Sequence, residues 1–161
     1  LLGFGSYFLL HQPGHKKLYT QYFEAPDNTF VSYGRGGFES DSLQMLTRAS
    51  KMYDQKDYQQ AVKLFDQYLV PERQDAAYVF LSAISQLKAG SDTRAKRQFS
   101  FLLKHNHFDY APNYYLALIA LKRGQVDVAK KRLQKSVRHE KTCQKKAVKL
   151  LNALSREYDG K

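Results

Sequence analysis

The chain has 161 residues, 43% of them hydrophobic, with 12 Tyr, 10 Phe and no Trp, and it carries a net charge of +11. That length and apolar content suit one domain of moderate size with a real core and exclude a disordered tail. The only cysteine, Cys143, excludes an intrachain disulfide framework and a cysteine-ligated zinc site. The charge is uneven. Residues 1–42 hold 3 basic and 4 acidic side chains, whereas residues 122–161 hold 13 basic and 4 acidic. The basic end can meet nucleic acid, anionic lipid or an acidic protein, or can serve as a solvated helix face.

Residues 1–12 open the chain with "LLGFGSYFLLHQ", uncharged throughout and without an initial Met. Leu1–Leu10 carry no charge, but ten residues are too few to cross a bilayer, which takes about 20. They are expected to be the end of a transmembrane helix that starts upstream, with Tyr7 and Phe8 at an interface. Pro13 and Gly14 are expected to stop that helix. Lys16 and Lys17, just beyond the apolar run, favour a cytoplasmic side for the rest of the chain.

Residues 13–41 read as an extended lead-in. Leu18–Phe23 can form a helical turn, Asp27-Asn28 a chain turn, and Gly34, Gly36 and Gly37 a loop. A single Arg-Gly-Gly is not an RNA-binding tract. No Gly-Lys-Ser/Thr comes after it to make a phosphate loop.

Residues 42–161 contain a repeat. Three stretches, "ASKMYDQKDYQQAVKLFDQYL", "AISQLKAGSDTRAKRQFSFLL" and "ALIALKRGQVDVAKKRLQKSV", start at Ala49, Ala83 and Ala117. Ala61, Ala95 and Ala129 recur in the same register, as do Phe65, Phe99 and Leu133, then Leu69, Leu103 and Val137. At the turn the series is Lys56, Gly90, Gly124. A period of 34 residues with two helices and a tight turn is the tetratricopeptide signature, and residues 42–141 resemble that family. The small residues are placed where helices must approach closely, with a large apolar residue four positions on to fill the neighbouring space. The pattern departs from consensus at Lys56, which replaces a turn Gly, and at Arg73, His107 and Lys141, where Pro is common.

The resemblance implies an all-α fold: a right-handed α-α superhelix of three repeats at about 42–75, 76–109 and 110–143, with a capping helix at 143–158. Asp41 or Ser42 can cap the first helix and Ser91 or Asp92 the fourth. Pro112 suits a first helical turn, and Gly90 and Gly124 suit helix ends. In the last segment Cys143, Ala147, Leu150 and Leu154 share one face while Lys145, Lys146 and Lys149 lie elsewhere, as a terminal cap needs. Seven main helices are expected.

The family binds peptides or protein surfaces in a groove lined by the first helix of each repeat. The resemblance places Leu46, Ser50, Tyr53, Phe80, Ile84, Lys88, Tyr114, Leu118 and Lys122 near that groove, part of the set being core. Leu46, Ser50, Leu81, Ala111 and Tyr115 occupy the positions of a carboxylate clamp, so no clamp is expected. The lead-in itself can occupy the groove as an intramolecular ligand. Lys131, Arg138, Lys145, Lys146 and Lys149 are the candidate basic surface.

His105 and His107 in "HNHFD" are read as an ordinary polar loop; no metal site and no cofactor is expected. No nucleophile motif or paired catalytic carboxylate appears, so no enzyme is expected. The order of elements also resembles bacterial single-pass proteins with a "YFEPYPN"-like lead-in, matched by Tyr22, Phe23, Glu24, Pro26 and Asn28 but not by Ala25. That resemblance implies an inner-membrane anchor with the repeats in the periplasm. This is favoured over the side the two lysines suggest. The expected function is a non-enzymatic, membrane-tethered adaptor for a protein or peptide partner. The alternatives are an accessory subunit of a larger membrane complex, and a binder of anionic surfaces or nucleic acid.

Overall fold

A computed structural model of the chain describes residues 14–29, 31, 40–69 and 75–158. The expected anchor at 1–12 and the glycines Gly34, Gly36 and Gly37 lie outside the described residues. Among the described residues the regular structure is helical: α1 (Gly14–Tyr22), α2 (Asp41–Asp54), α3 (Tyr58–Tyr68), α4 (Ala76–Lys88), α5 (Asp92–Lys104), α6 (Pro112–Lys122), α7 (Val126–His139) and α8 (Gln144–Tyr158). Single 3-10 turns lie at Phe108–Tyr110 and Lys141–Cys143. The seven helices expected after the lead-in are α2 to α8. None of the described helices is long and apolar enough to cross a membrane.

The described chain forms two compact units. One is Ala25–Tyr110, and the other joins Leu1–Glu24 to Ala111–Lys161. In the first, α2 packs on α3, α3 on α4, and α4 on α5, with α4 also touching α2. In the second, α6 packs on α7, α7 on α8, and α1 lies on α6 and α8.

The alanine series lies in the core. Ala49, Ala83 and Ala117, and Ala61, Ala95 and Ala129, are all 0% exposed. Phe65, Phe99 and Leu133 beside them are fully buried. Helices α4 and α6 carry apolar residues on every side, and both are buried without a break over Ala77–Leu87 and Pro112–Leu121. Helices α3, α5 and α7 bury one stripe and leave charged residues outward.

The helix ends explain the turn series. Lys56, Gly90 and Gly124 all have positive φ, at 62°, 83° and 73°. At each, the residue's N–H donates to the carbonyl three back, and the next N–H donates to the carbonyl five back. The pairs are Lys56 to Tyr53 and Asp57 to Met52; Gly90 to Leu87 and Ser91 to Gln86; Gly124 to Leu121 and Gln125 to Ala120. This is the Schellman closure, which favours glycine at its left-handed residue. Asn106, with φ 60°, closes α5 in the same way. Lys56 therefore carries a Cβ where glycine would carry none. Lys56→Gly is expected to stabilise the protein by about 1 kcal/mol, read as a higher denaturant midpoint at unchanged slope.

Three local expectations change. The cap of α2 is Ser40, whose side chain accepts from the Leu43 N–H, and not Asp41 or Ser42, which lie inside the helix. Ser91 occupies the cap position of α5, but its side chain makes no capping bond. The lead-in is not extended throughout. Residues 14–22 are helical, and Gly14 begins a helix where a stop is expected from Pro13-Gly14. The turn at Asp27-Asn28 is present: Thr29 N–H donates to the Asp27 carbonyl and Val31 N–H to Asn28 Oδ1.

On α8 the face of Ala147, Leu150 and Leu154 is buried, along with Cys143 just before it. Burial pushes the Cys143 thiol up to about 11.

Candidate functional site

The nine candidate groove residues are mostly inside the protein. Leu46, Ser50, Tyr53, Phe80, Ile84, Tyr114 and Leu118 are at most 3% exposed, whereas Lys88 is exposed and Lys122 half-buried. In the first unit, Ser50 Oγ donates to the Leu46 carbonyl within α2. The Phe80 ring meets Phe99 at 6.4 Å and Tyr110 at 5.2 Å. Lys88 Nζ stands 5.9 Å over the ring of Tyr58. These residues hold helices together.

Others hold the lead-in. Tyr53 Oη, at the end of α2, donates to the Pro26 carbonyl at 2.5 Å, and Asn28 Nδ2 donates to Asp54 at 3.4 Å. In the second unit, Tyr114 Oη on α6 donates to the Tyr22 carbonyl at 2.9 Å. Lys122 Nζ, two turns on, stands 5.4 Å over the ring of Tyr19. Tyr19 in turn stacks on Phe23 at 5.3 Å. Lys146 on α8 pairs with Glu24 at 3.1 Å. The two tyrosines act alike: a rigid aromatic body buried in the helices, and a polar tip that reads a backbone carbonyl. Burial is the largest cause pushing both phenols above their ordinary value, so each is a neutral donor in this arrangement.

Tyr19, Tyr22, Glu24 and Pro26 are not among the candidate groove residues. Their signal is the aromatic richness of 18–28. It marks the segment as something that packs without saying where.

The basic candidates Lys131, Arg138, Lys145, Lys146 and Lys149 are all exposed. The unit that contains them has 15 basic and 5 acidic residues, against 11 and 10 for the other unit.

His105 and His107 do not converge on a ligand set. The His105 ring lies 4.3 Å from Phe101 and the His107 ring 6.3 Å from Tyr110. Among the described residues no three metal-ligating side chains come together.

A further cluster in the first unit has no counterpart in the sequence reading. Asp66 on α3 accepts from Gln86 Nε2 on α4 at 2.9 Å and pairs with Arg94 on α5. Its members are 20 and 28 residues apart and share no motif.

The chain matches no protein-family model, no curated protein and no solved structure.

Proposed function

We propose that the protein is a tetratricopeptide-type scaffold that holds polypeptide segments on the first helix of each repeat, is tethered to a membrane through its apolar N-terminal residues, and performs no chemistry. The 34-residue register of buried alanines and left-handed turn residues supports the repeat assignment. One observation carries the binding reading: Tyr53 and Tyr114, both assigned to the groove from the register, donate to backbone carbonyls of the chain's own lead-in. Recognition through a carbonyl is indifferent to the side chain presented. Within each unit a stretch of the lead-in thus behaves as a resident ligand, residues 19–24 in one and residues 26–28 in the other, and a partner segment competes with it.

The test is a pull-down with full-length, membrane-extracted protein, with captured molecules identified by mass spectrometry. A polypeptide partner is expected. Its capture should rise in Tyr19→Ala, which removes the lead-in ring beneath Lys122 and leaves the Tyr53 and Tyr114 hydroxyls in place, and should change little between low and moderate salt. Capture of nucleic acid alone overturns the reading.

A second reading is favoured by the charge. The unit with an excess of ten basic residues, several of them exposed, suits an anionic surface. It predicts binding that falls steeply with salt.

A further inference from the structure

Helix α1 runs antiparallel to both helices it lies on. Its last residues meet their starts: Tyr22 accepts from Tyr114 on α6, and Glu24 pairs with Lys146 on α8. Its first residues meet their ends. A Cβ added at Gly14 would lie 2.5 Å from Glu157 Oε1, near the end of α8. One added at Gly124, just past α6, would lie 3.4 Å from the His15 ring. Within this unit the start of α1, the end of α6, the start of α7 and the end of α8 therefore share one end. The end of α7 lies at the other, where Glu140 meets the start of α6.

The apolar residues 1–12 join the unit at the first of these ends, with only Pro13 between them and Gly14. Two kinds of side chain surround that point. Lys16, Lys17, Arg123 and Arg156 are exposed, against the exposed Asp127 and Glu157. Val128 is 48% exposed and Tyr158 38%. A single exposed apolar side chain needs no explanation. Here, of the three large ones exposed among the described residues, two fall at the end that the apolar segment enters, and only Val148 does not. Cations beside an aliphatic side chain and a tyrosine suit a headgroup layer. The apolar groups enter its boundary, and the long basic side chains reach the phosphates.

Charge alone would choose the opposite end, where Arg138, Lys141 and Lys145 are exposed. Distance decides against it. Helix α7 has 14 residues, which holds the two ends about 20 Å apart. Charges in solution are screened over about 8 Å at physiological salt. A bilayer that holds residues 1–12 is thus out of reach of those three side chains. We infer that the end carrying Gly14, Gly124, Val128 and Tyr158 rests on an anionic bilayer interface, and that the opposite, more basic end projects away from it. The inference rests on the membrane tether proposed above and adds the face that the tether turns toward the lipid.

The full chain is reconstituted in vesicles of phosphatidylcholine and phosphatidylglycerol in equal parts, with one fluorophore on Val128→Cys or on Lys145→Cys. A headgroup-spin-labelled lipid is the quencher. Quenching at 128 is expected to exceed that at 145 by about fivefold, since the two positions stand about 15 Å apart along the helix axes. In phosphatidylcholine alone the excess should fall about twofold, as the four cations lose their anionic partners. Equal quenching at the two positions, or more at 145, in vesicles that carry the chain would overturn the orientation and leave the tether standing. An excess indifferent to lipid charge would overturn the anionic surface. A chain that does not float with the vesicles removes the tether, and this inference with it.

Discussion

Replacing Glu140 by alanine is expected to destabilise the protein by about 2–4 kcal/mol. Helix α6 begins awkwardly. Ala111 stands at its cap with φ 47° and has no side-chain oxygen to offer. Pro112 removes one orphan donor. The next two are met by Glu140, from the end of α7, whose Oε1 accepts from Asn113 N–H at 2.6 Å and whose Oε2 accepts from Tyr114 N–H at 3.1 Å. Glu140 is only 1% exposed. Its negative charge also sits at the positive end of the helix dipole. Truncation leaves two buried N–H groups without acceptors in a helix that is itself buried. Glu140→Gln keeps the shape but turns an NH₂ toward one donor, so about half the loss is expected. Denaturant unfolding gives the size, and amide exchange at Asn113 and Tyr114 gives the place. Unchanged exchange there would show that the loss has another cause.

The second large effect is overpacking. Ala95→Leu is expected to cost about 1–3 kcal/mol, because its Cβ is fully enclosed where α5 packs on α4. The neighbouring Lys96→Leu, on an exposed position, should cost less than about 0.5 kcal/mol. Comparing the two separates loss of space from loss of helix propensity, since both create a leucine on the same helix. Equal losses would remove the close-approach reading of the whole alanine series.

Legibility in the sequence turns on distance along the chain. Ala61, Ala95 and Ala129 are legible because a period repeats locally and three copies reinforce one another. Gly90 and Gly124 are legible because one residue type answers one backbone need. Ser40 is hidden because Asp41 and Ser42 can cap equally well, and composition does not choose among adjacent capping residues. The helix at Gly14–Tyr22 is hidden because Pro-Gly reads as a stop, although proline also suits a helix start. Glu140 carries no signal, since the donors it meets lie 27 and 26 residues away. The family pattern points to Tyr53 and Tyr114 as groove residues. It does not show that their hydroxyls are already engaged by Pro26 and Tyr22, because nothing in the pattern of an array records what lies on it.

The lone thiol has a practical consequence. Cys143 is buried, and its proton is held until well above neutral pH. Near pH 7 a maleimide therefore finds little thiolate to attack there. Any cysteine introduced at the surface, at Lys131 or Arg97 for instance, should be modified far faster than the native one. The wild-type background is thus ready for single-site fluorophores or spin labels without first removing Cys143. Two such cysteines, at Lys17 on α1 and Lys131 on α7, then report the distance between the lead-in helix and the rest of its unit while a partner is added.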